Sequence, residues 1–353
     1  MSSPTPLPPS AISALFAMRS TPQTVAASYT AVPLTGLFDP TPSGFGKSNG
    51  LSLNESGVVV GRSKDLNSFS RACRWVFNAP LDLGSFGGPR SEATAINEAG
   101  IICGSADLAN GIPQAALWRR GLIRNLGSLA GTGAESRALA ITEGEDPIVY
   151  GYSQGAQGMY RAVQWASLQI DPLPDGANWA NSEARTVGWN GLPAGVAVRN
   201  DASKVCIWWN GQPVECPGLP GYWNCEPRHG QPNGYVVGFS DRGQNTETEA
   251  VLFSPALAAT SLQNLPGALS SSANGVNANG VVVGEVRTAS VPADGFICPA
   301  MTGGQMVSLT GRLVPSPYVA TVSRVWAIND DGVMTGDGLD SNQQPVAFLL
   351  IPN

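Results

Sequence analysis

The residue types that most often carry out acid–base catalysis are scarce in this chain. His229 is the only histidine, and only three residues are lysine. The segment 151–155, GYSQG, matches the G-x-S-x-G pattern of a nucleophile elbow, but that elbow needs a strand-to-helix turn and a histidine base. The same Gly-x-Ser stands at Gly61 and Gly238 as part of a repeat. We therefore predict no catalytic residue and no cofactor.

Aromatic and basic side chains are concentrated in two long loops, 217–230 and 310–323, and Trp179 lies in a third connection. Aromatic rings beside polar groups are typical of surfaces that bind sugars or peptides. Tryptophans also pack between sheets, so buried packing is the alternative interpretation. The candidate ligand-binding residues are Trp179, Tyr222, Trp223, Arg228, His229 and Tyr318.

Three of the six cysteines lie close together in the sequence. Cys206 and Cys216 flank a hairpin that turns at 210–211, and Cys225 follows. A disulfide across the hairpin, between Cys206 and Cys216, would need a bulge, because a two-residue turn pairs position 206 with 215. With His229 they could also bind zinc, but the tight Cys-x2-Cys spacing of structural zinc sites is absent. One disulfide and free thiols remain equal alternatives, and we predict no metal.

One short pattern recurs seven times along the chain. It reads Ser-x-Ala-x-Ala-Ile-Asn-x-x-Gly, followed by a β-branched run that closes on a glycine, most clearly in 91–104 and also in 48–61, 272–284 and 323–336. The closing glycines are 43 to 52 residues apart. These marker glycines are Gly61, Gly104, Gly151, Gly195, Gly238, Gly284 and Gly336.

Each repeat predicts four short strands. An alternating first strand ends in the Asn-x-x-Gly turn, where asparagine caps the turn and glycine takes a positive φ. A β-branched second strand follows, then a third strand with an aromatic residue such as Trp75, then a fourth around a leucine such as Leu126. Repeats of about 40–50 residues with four strands are typical of propeller blades. We therefore predict an all-β fold, a seven-bladed β-propeller.

The two ends of the chain predict how the ring closes. The seventh repeat ends after its third strand, while the strand-like segment 28–37 precedes the first repeat. We expect the strand within 29–34 to pair beside Phe348 and complete the last blade, because closure removes an exposed sheet edge. The predicted domains are an N-terminal extension, 1–27, and the propeller, 28–353.

Charged residues follow the repeat serine at the start of several inner strands. We predict that these residues surround one mouth of the central channel and are candidates for ligand contact. The alternative is ion pairing between blades, which contributes only about 0–1 kcal/mol per exposed pair. The charged residues are Glu92, Arg137, Glu183 and Arg324.

Composition excludes several classes of protein. The net charge is −6 and charged residues make up 13% of the chain, so the basic surface that nucleic-acid binding requires is absent. The low charge also excludes a coiled coil or a charge-rich disordered chain. No apolar stretch approaches the roughly 18 residues of a membrane span. The apolar run 11–18 has no basic residue before it, unlike a secretory signal.

The repeated pattern resembles the HAF repeat family, bacterial proteins usually described as probable extracellular repeat proteins. The resemblance covers roughly 45–353 and rests on the Ala-Ile-Asn…Gly-Val-Val-Gly cores, the Trp/Phe third strands, the Leu-Gly-x-Leu segment 126–129 and the ending 347–350, AFLL. Val346 stands where the name-giving histidine would be. The resemblance implies a secreted or surface-exposed protein and names no chemistry.

These observations predict a non-enzymatic extracellular or surface repeat protein. Its loops on one propeller face would bind a glycan or a protein surface, without nucleic acid and without a membrane span. A polysaccharide hydrolase or lyase at the channel mouth is one alternative. A virion or surface assembly subunit, docking through residues 1–27, is the other.

Overall fold

The computed structural model describes residues 25–38, 48–76, 79–176, 178–188, 191–199, 202–209, 211–231, 234–241, 247–254, 258–289 and 293–353. Its described strands form seven antiparallel four-stranded sheets, each made from consecutive strands except for the last. Two short 3-10 helices, Ala300–Thr302 and Thr310–Arg312, interrupt the connections. The prediction of an all-β, seven-bladed propeller is confirmed.

The blades share one order of strands, from the axis outward. The innermost strands are β2 (Ser48–Leu53), β6 (Gly87–Ile96), β10 (Ser136–Ile141), β14 (Asn181–Gly188), β18 (Asn224–Gly230), β22 (Ala268–Val276) and β26 (Thr321–Ile328). The second strands are β3 (Val59–Lys64), β7 (Ile102–Leu108), β11 (Val149–Gln154), β15 (Leu192–Arg199), β19 (Val236–Asp241), β23 (Val281–Thr288) and β27 (Met334–Leu339). The third strands are β4 (Ser70–Val76), β8 (Pro113–Arg119), β12 (Tyr160–Ala166), β16 (Ala202–Trp209), β20 (Thr248–Phe253), β24 (Asp294–Pro299) and β28 (Pro345–Pro352). The outer strands are β5 (Ala79–Asp82), β9 (Leu122–Gly127), β13 (Gln169–Pro172), β17 (Gln212–Cys216), β21 (Ala259–Ser261), β25 (Val307–Ser308) and β1 (Tyr29–Pro33).

The outer strand of the seventh blade comes from the other end of the chain. β1 pairs antiparallel with β28, from Tyr29 opposite Pro352 to Pro33 opposite Phe348. The amide of Leu34 extends this pairing by donating to the Ala347 carbonyl at 2.8 Å. Closure by the N-terminal strand is therefore confirmed. Most of the predicted extension, 1–24, lies outside the described residues, so its boundary at residue 27 stays a prediction.

The marker glycines exist because a side chain has no room there. A Cβ on Gly104 would lie 2.0 Å from the Glu92 carbonyl oxygen, and one on Gly151 would lie 1.9 Å from that of Arg137. In both cases the clashing atom is backbone of the innermost strand. Directly after this contact each innermost strand shifts register, so a bulged residue follows. A bulge changes the direction of the side chains next to it, and all of these bulges lie on the strands that surround the axis.

The hydrophobic core lies between neighbouring blades. The aromatic residues of the third strands fill these spaces, and Trp75, Trp165 and Trp208 are among the largest fully buried side chains. The repeat serine joins the same interface by a hydrogen bond. For example, the Ala72 amide of one blade donates to Ser91 Oγ of the next at 2.9 Å, and Ala115 donates to Ser136 in the same way. The recurring serine is therefore a contact between blades.

The Asn-x-x-Gly turns close the innermost hairpins at the opposite end of the ring. Asn97 Oδ1 accepts from the Ile101 amide at 3.0 Å, and its Nδ2 donates to the Thr142 and Gly144 carbonyls of the next blade, each at 3.0 Å. Gly100 takes the predicted positive φ of 72°. We call this end of the ring the collar and define it by Asn54, Glu55, Asn97, Glu98, Glu143, Asn277, Asn329 and Asp330.

Candidate functional site

The innermost strands surround the propeller axis, since each contacts the innermost strands of both neighbouring blades. At the end where these strands begin, the residue after the repeat serine pairs with the residue after the marker glycine, as Asn49 does with Arg62. Such pairs project to one face of the hairpin. With the bulged residues and Glu135 they form what we call the mouth ring. Its members are Asn49, Arg62, Glu92, Glu135, Arg137, Tyr152, Glu183, Arg185, Glu226, Arg228, Phe239, Glu285, Arg324, Trp326 and Asp337.

Ion pairs in the mouth ring connect neighbouring blades. Arg62 Nη1 lies 2.9 Å from Glu92 Oε1, and Arg324 Nη2 lies 2.7 Å from Glu285 Oε2. Arg185 bridges two carboxylates, that of Glu183 in its own blade at 2.9 Å and that of Glu226 in the next. Most charged side chains of the mouth ring therefore form ion pairs with one another.

A second cluster in the ring centres on Glu135. Its carboxylate accepts from Arg137 Nε at 2.7 Å and from the hydroxyls of Tyr152 at 3.2 Å and Tyr160 at 3.3 Å. The two tyrosine rings meet edge to face, with their centroids 5.1 Å apart. Burial raises the pKa of Tyr152 above its ordinary value, so this phenol stays protonated and remains a donor.

Asp337 joins the seventh blade to the first within the mouth ring. Its carboxylate accepts from Asn49 Nδ2 at 3.0 Å and from Trp326 Nε1 at 2.6 Å. The guanidinium of Arg324 lies over the Trp326 ring, 4.6 Å from its centroid. Burial raises the pKa of Asp337, while the two hydrogen bonds oppose that shift by stabilising the carboxylate.

Arg228 differs from the other arginines of the mouth ring. It is the bulged residue of β18, its side chain is exposed, and its guanidinium lies 5.1 Å from the centroid of the Phe239 ring. Among the residues that the structure describes, it forms no ion pair and no side-chain hydrogen bond. Desolvation by the surrounding protein lowers its pKa, the carboxylates of Glu226 and Glu285 oppose that shift, and the charges of Arg185 and Arg324 add to it. Arg228 therefore has no ion-pair partner among the described residues, and the carboxylates that act on it, Glu226 and Glu285, are paired with Arg185 and Arg324.

The collar is the other polar end of the ring. The Glu55 amide donates to the Glu98 carboxylate at 3.0 Å, and the Asp330 amide donates to the Glu55 carboxylate at 2.9 Å. Burial, followed by the charges of Asp330, Glu98 and Asp331, raises the pKa of Glu55 to about 7. These carboxylates accept backbone hydrogen bonds from neighbouring blades, and the contact between Glu55 and Asp330 closes the ring between the seventh blade and the first.

The four charges predicted at the mouth all take part in the ring contacts. The ion pairs are Glu92 with Arg62, Arg137 with Glu135, Glu183 with Arg185, and Arg324 with Glu285. Sequence analysis missed the partners, which are Arg62, Glu135, Arg185, Glu226, Glu285 and Asp337. Three of these directly follow a marker glycine, and that position could have identified them because it lies opposite the residue after the serine.

The six residues predicted to bind a ligand do not form one surface. Trp179 is buried at 8% exposure, donates its indole N–H to Glu215 at 3.1 Å and packs edge to face on Trp208. His229 Nδ1 accepts from the Val276 amide at 3.3 Å, and burial lowers its pKa to about 4. Both side chains hold blades together, so we do not include them in the candidate site.

The other three aromatic or polar predictions lie on the loops. Tyr222 donates its hydroxyl to Glu249. Trp223 has 70% exposure, and its carbonyl accepts from Lys204. Tyr318 is 47% exposed. Of the predicted set, only Arg228 belongs to the mouth ring.

The clustered cysteines have a structural explanation. Cys225 occupies the repeat-serine position, and its Sγ accepts from the Val205 amide at 3.3 Å where other blades use a hydroxyl. Cys206 and Cys216 are buried nearby, and burial raises the pKa of Cys216 to about 12. All six cysteines are free thiols in this structure.

Comparison with known proteins identifies the fold. No family model and no curated protein matches the chain. Three solved structures cover 93% of it: a puromycin hydrolase (10% identity, TM-score 0.55), a puromycin-hydrolyzing peptidase from Mycobacterium tuberculosis (10%, 0.52) and the β-propeller domain of the Trilobed protease from Pyrococcus furiosus (7%, 0.50). The chain spans 55% and 56% of the two puromycin-hydrolysing proteins and 94% of the propeller domain. The Pyrococcus domain is described as having an open velcro topology, whereas β1 closes the ring here.

These comparisons correct the functional prediction. The expectation of a non-enzymatic binding or structural platform is wrong, and with it the alternatives of a polysaccharide enzyme and an assembly subunit. The propellers that match this chain over most of its length are parts of peptide- or puromycin-cleaving proteins. The physical reason for the error is that the repeat encodes how blades pack, and one fold serves unrelated functions. At such low identity the similarity establishes the fold and no activity.

Helices of the described residues are too short or too polar to cross a membrane.

Proposed function

We propose that the mouth ring binds the carboxylate end of a peptide, and that the chain is the substrate-binding propeller of a peptide-cleaving hydrolase. The observation that carries this proposal is Arg228, an exposed guanidinium that stacks on Phe239 and forms no ion pair and no side-chain hydrogen bond among the described residues. An arginine can bind a carboxylate through two parallel hydrogen bonds. A peptide terminus would supply the missing anion.

The surroundings of Arg228 suit a peptide rather than an isolated ion. The Phe239 ring beneath the guanidinium offers apolar surface to a side chain, and Trp326 lies in the same ring beside Arg324. The ion pair of Arg185 with Glu226 on one side and that of Arg324 with Glu285 on the other place acceptors near the free cation. Those acceptors could bind backbone amides of a peptide whose terminus lies on Arg228.

The fold comparison supports the hydrolase part of the proposal. Two of the similar structures are named for puromycin hydrolysis, a third for a protease, and the first two are nearly twice as long as their match to this chain. In the two puromycin-hydrolysing proteins, the region that matches this chain is therefore joined to a further part of the same chain. We propose the same relation here, with the chain contributing substrate binding and the cleavage chemistry lying outside the mouth ring.

Isothermal titration with one matched pair of peptides tests the binding. The tripeptide Gly-Phe-Ala with a free carboxylate is expected to bind, and its C-terminal amide to bind at least about tenfold more weakly, since hydrogen bonds to charged groups contribute roughly 1.5–3 kcal/mol. Arg228→Gln should lower the affinity for the acid to that for the amide. Arg287→Gln, at an exposed arginine of β23, is the matched control. Equal affinity for acid and amide, or an unchanged Arg228→Gln variant, would overturn the proposal.

We also propose that the chain is a member of the HAF repeat family and is located outside the cell. The support is the in-phase recurrence of seven repeats and the extracellular description that the family resemblance implies. Immunodetection in culture medium, cell surface and cytosol of the source organism tests the location. Retention in the cytosol alone would contradict it.

A further inference from the structure

A groove opens between the second and third blades, away from the mouth ring. Its volume is about 570 Å³, within the range of roughly 300–1,000 Å³ that is usual for small-molecule sites. The floor is apolar and buried, formed by Leu117, Leu126, Val149 and Trp165. At the rim stand two exposed leucines, Leu122 at 65% and Leu168 at 45%. The groove can therefore cover an apolar body several carbon atoms long.

The indole N–H of Trp165 is unpartnered in the floor of this groove. Trp75, Trp118 and Trp208 occupy the same position in other blades, and each donates its N–H at 2.8 Å to a carbonyl of the preceding blade. Trp165 Nε1 is buried and has no acceptor. A buried donor left without a partner costs about 1–3 kcal/mol, so an acceptor brought by a ligand would be stabilised here.

The sequence of the second blade explains the missing acceptor. In its outer strand β9, the pairing with β8 skips Leu126, so the end of the strand departs from the register of the other blades. The Gly127 carbonyl that follows accepts from Ser136 Oγ at 2.8 Å. In the fourth blade the equivalent hydroxyl, Ser182, donates to Asp175 instead. The Pro174 carbonyl, which follows the outer strand of the third blade, is therefore left to bind Trp208.

The rim of the groove carries net positive charge on a protein whose net charge is −6. Arg119 and Arg120 pair with Glu145, at 2.6 Å and 3.6 Å, and Arg119 also lies 3.6 Å from Asp146, the carboxylate among the lining residues. Arg124 also lines the groove and is exposed. Within the described part of the chain it has no ion pair and no side-chain hydrogen bond. Among the described residues Arg124 thus resembles Arg228 in having no ion-pair partner, and it lines this groove.

We propose that this groove binds a small amphipathic carboxylate that carries a hydrogen-bond acceptor in its apolar body, the chemistry of an N-acyl aliphatic amino acid. The carboxylate binds Arg124 at the rim. The aliphatic body covers Leu122 and Leu168, and the acceptor receives the hydrogen bond of the Trp165 indole. This site is independent of the mouth ring, so either proposal can fail without the other.

The probe is N-acetyl-L-leucine, and its amide is the uncharged control. The protein is labelled with 15N-tryptophan, so that each indole N–H gives its own signal in a correlation spectrum, and the signal missing from Trp165→Phe identifies Trp165. Addition of the acid should shift that signal in a saturable way. The amide should bind on the order of tenfold more weakly, because it lacks the charge-assisted hydrogen bonds to Arg124.

Three variants separate binding from folding. Arg124→Gln should weaken binding of the acid about tenfold, whereas Arg287→Gln should leave it unchanged. Trp165→Phe should weaken binding severalfold while keeping the fold, since its N–H has no partner to lose. Trp118→Phe, at the equivalent position of the second blade, should bind as the wild type does. A Trp165 signal that stays unmoved at millimolar acid, equal binding of the amide, or an unaffected Arg124→Gln variant would overturn the proposal.

Discussion

The two ends of the propeller axis are built from the same repeat but use their polar residues differently. At the collar, the side-chain oxygen and nitrogen of Asn97 both form hydrogen bonds with backbone groups, and the Glu55 carboxylate accepts a hydrogen bond from the Asp330 amide. At the mouth ring, arginines and carboxylates bind one another, and Arg228 is left over. Polar groups bonded to backbone hold the blades together, whereas side chains bonded only to each other can exchange partners. This difference is why we place the ligand at the mouth.

The largest effect should come from the collar. Asn97→Ala removes one acceptor and two donated hydrogen bonds at a fully buried position. The groups left unpaired should lower the free energy of unfolding by about 3 kcal/mol or more. Urea denaturation followed by fluorescence measures it. Asn110→Ala, which loses a single exposed hydrogen bond in a turn, is the control. Its loss in free energy of unfolding should be only a few tenths of the loss in Asn97→Ala. If both variants lost a similarly small amount of unfolding free energy, the structural role that we assign to the collar would be contradicted.

At the mouth, the corresponding substitution should separate binding from stability. Arg228→Gln should weaken the binding of Gly-Phe-Ala at least about tenfold. The free energy of unfolding should stay within roughly 0.5 kcal/mol of the wild type, because no ion pair or hydrogen bond is lost. Titration calorimetry and urea denaturation on the same preparation give both quantities. A stability loss as large as that of Asn97→Ala would erase the contrast between the two ends.

The collar should also contribute a pH dependence, through Glu55. The pKa of Glu55 is about 7 in the folded protein and 4.5 as an ordinary glutamate, so the folded state binds the extra proton between these values. The contribution of Glu55 to stability is therefore fully present below pH 4.5 and is lost as the pH rises through 7. Because the side chain is exposed, the loss should be only about 1 kcal/mol. Denaturation at several pH values should show this decline in the wild type and a flatter profile in Glu55→Gln; identical slopes would contradict it.

The smallest effect should be found in the ion pairs of the mouth. A double-mutant cycle on Arg62→Gln and Glu92→Gln isolates their coupling, and both side chains are partly exposed. Such pairs typically contribute about 0.2–1 kcal/mol. Denaturation of the two single variants and the double variant gives the coupling energy. A coupling of several kcal/mol would mean that the mouth ring, too, is chiefly structural.

The fold could be predicted from the sequence because its constraints are local and repeated. A marker glycine such as Gly104 is required where the innermost carbonyl approaches the second strand, and the strand-like segment 29–34 pairs beside Phe348 as its pattern predicted. Each blade repeats the constraint, so weak patterns reinforce one another.

The site could be predicted only in part, for an equally physical reason. Glu92 and Arg324 were found because they follow the repeated serine, but their partners lie on other strands and become visible only when strands pair across the hairpin and blades meet. Trp179 and Trp223 both lie in loops that lead into an innermost strand, yet Trp179 is 8% exposed and Trp223 is 70% exposed. Burial depends on which neighbouring blade covers a loop, and the repeat carries no information about that.

The most direct test of the difference between the two ends is a crystal structure of the protein with Gly-Phe-Ala bound. We predict that the peptide lies at the mouth ring, with its carboxylate about 2.7–2.9 Å from the guanidinium nitrogens of Arg228 and a side chain against Phe239. A peptide bound at the collar, or one whose carboxylate does not contact Arg228, would contradict this account.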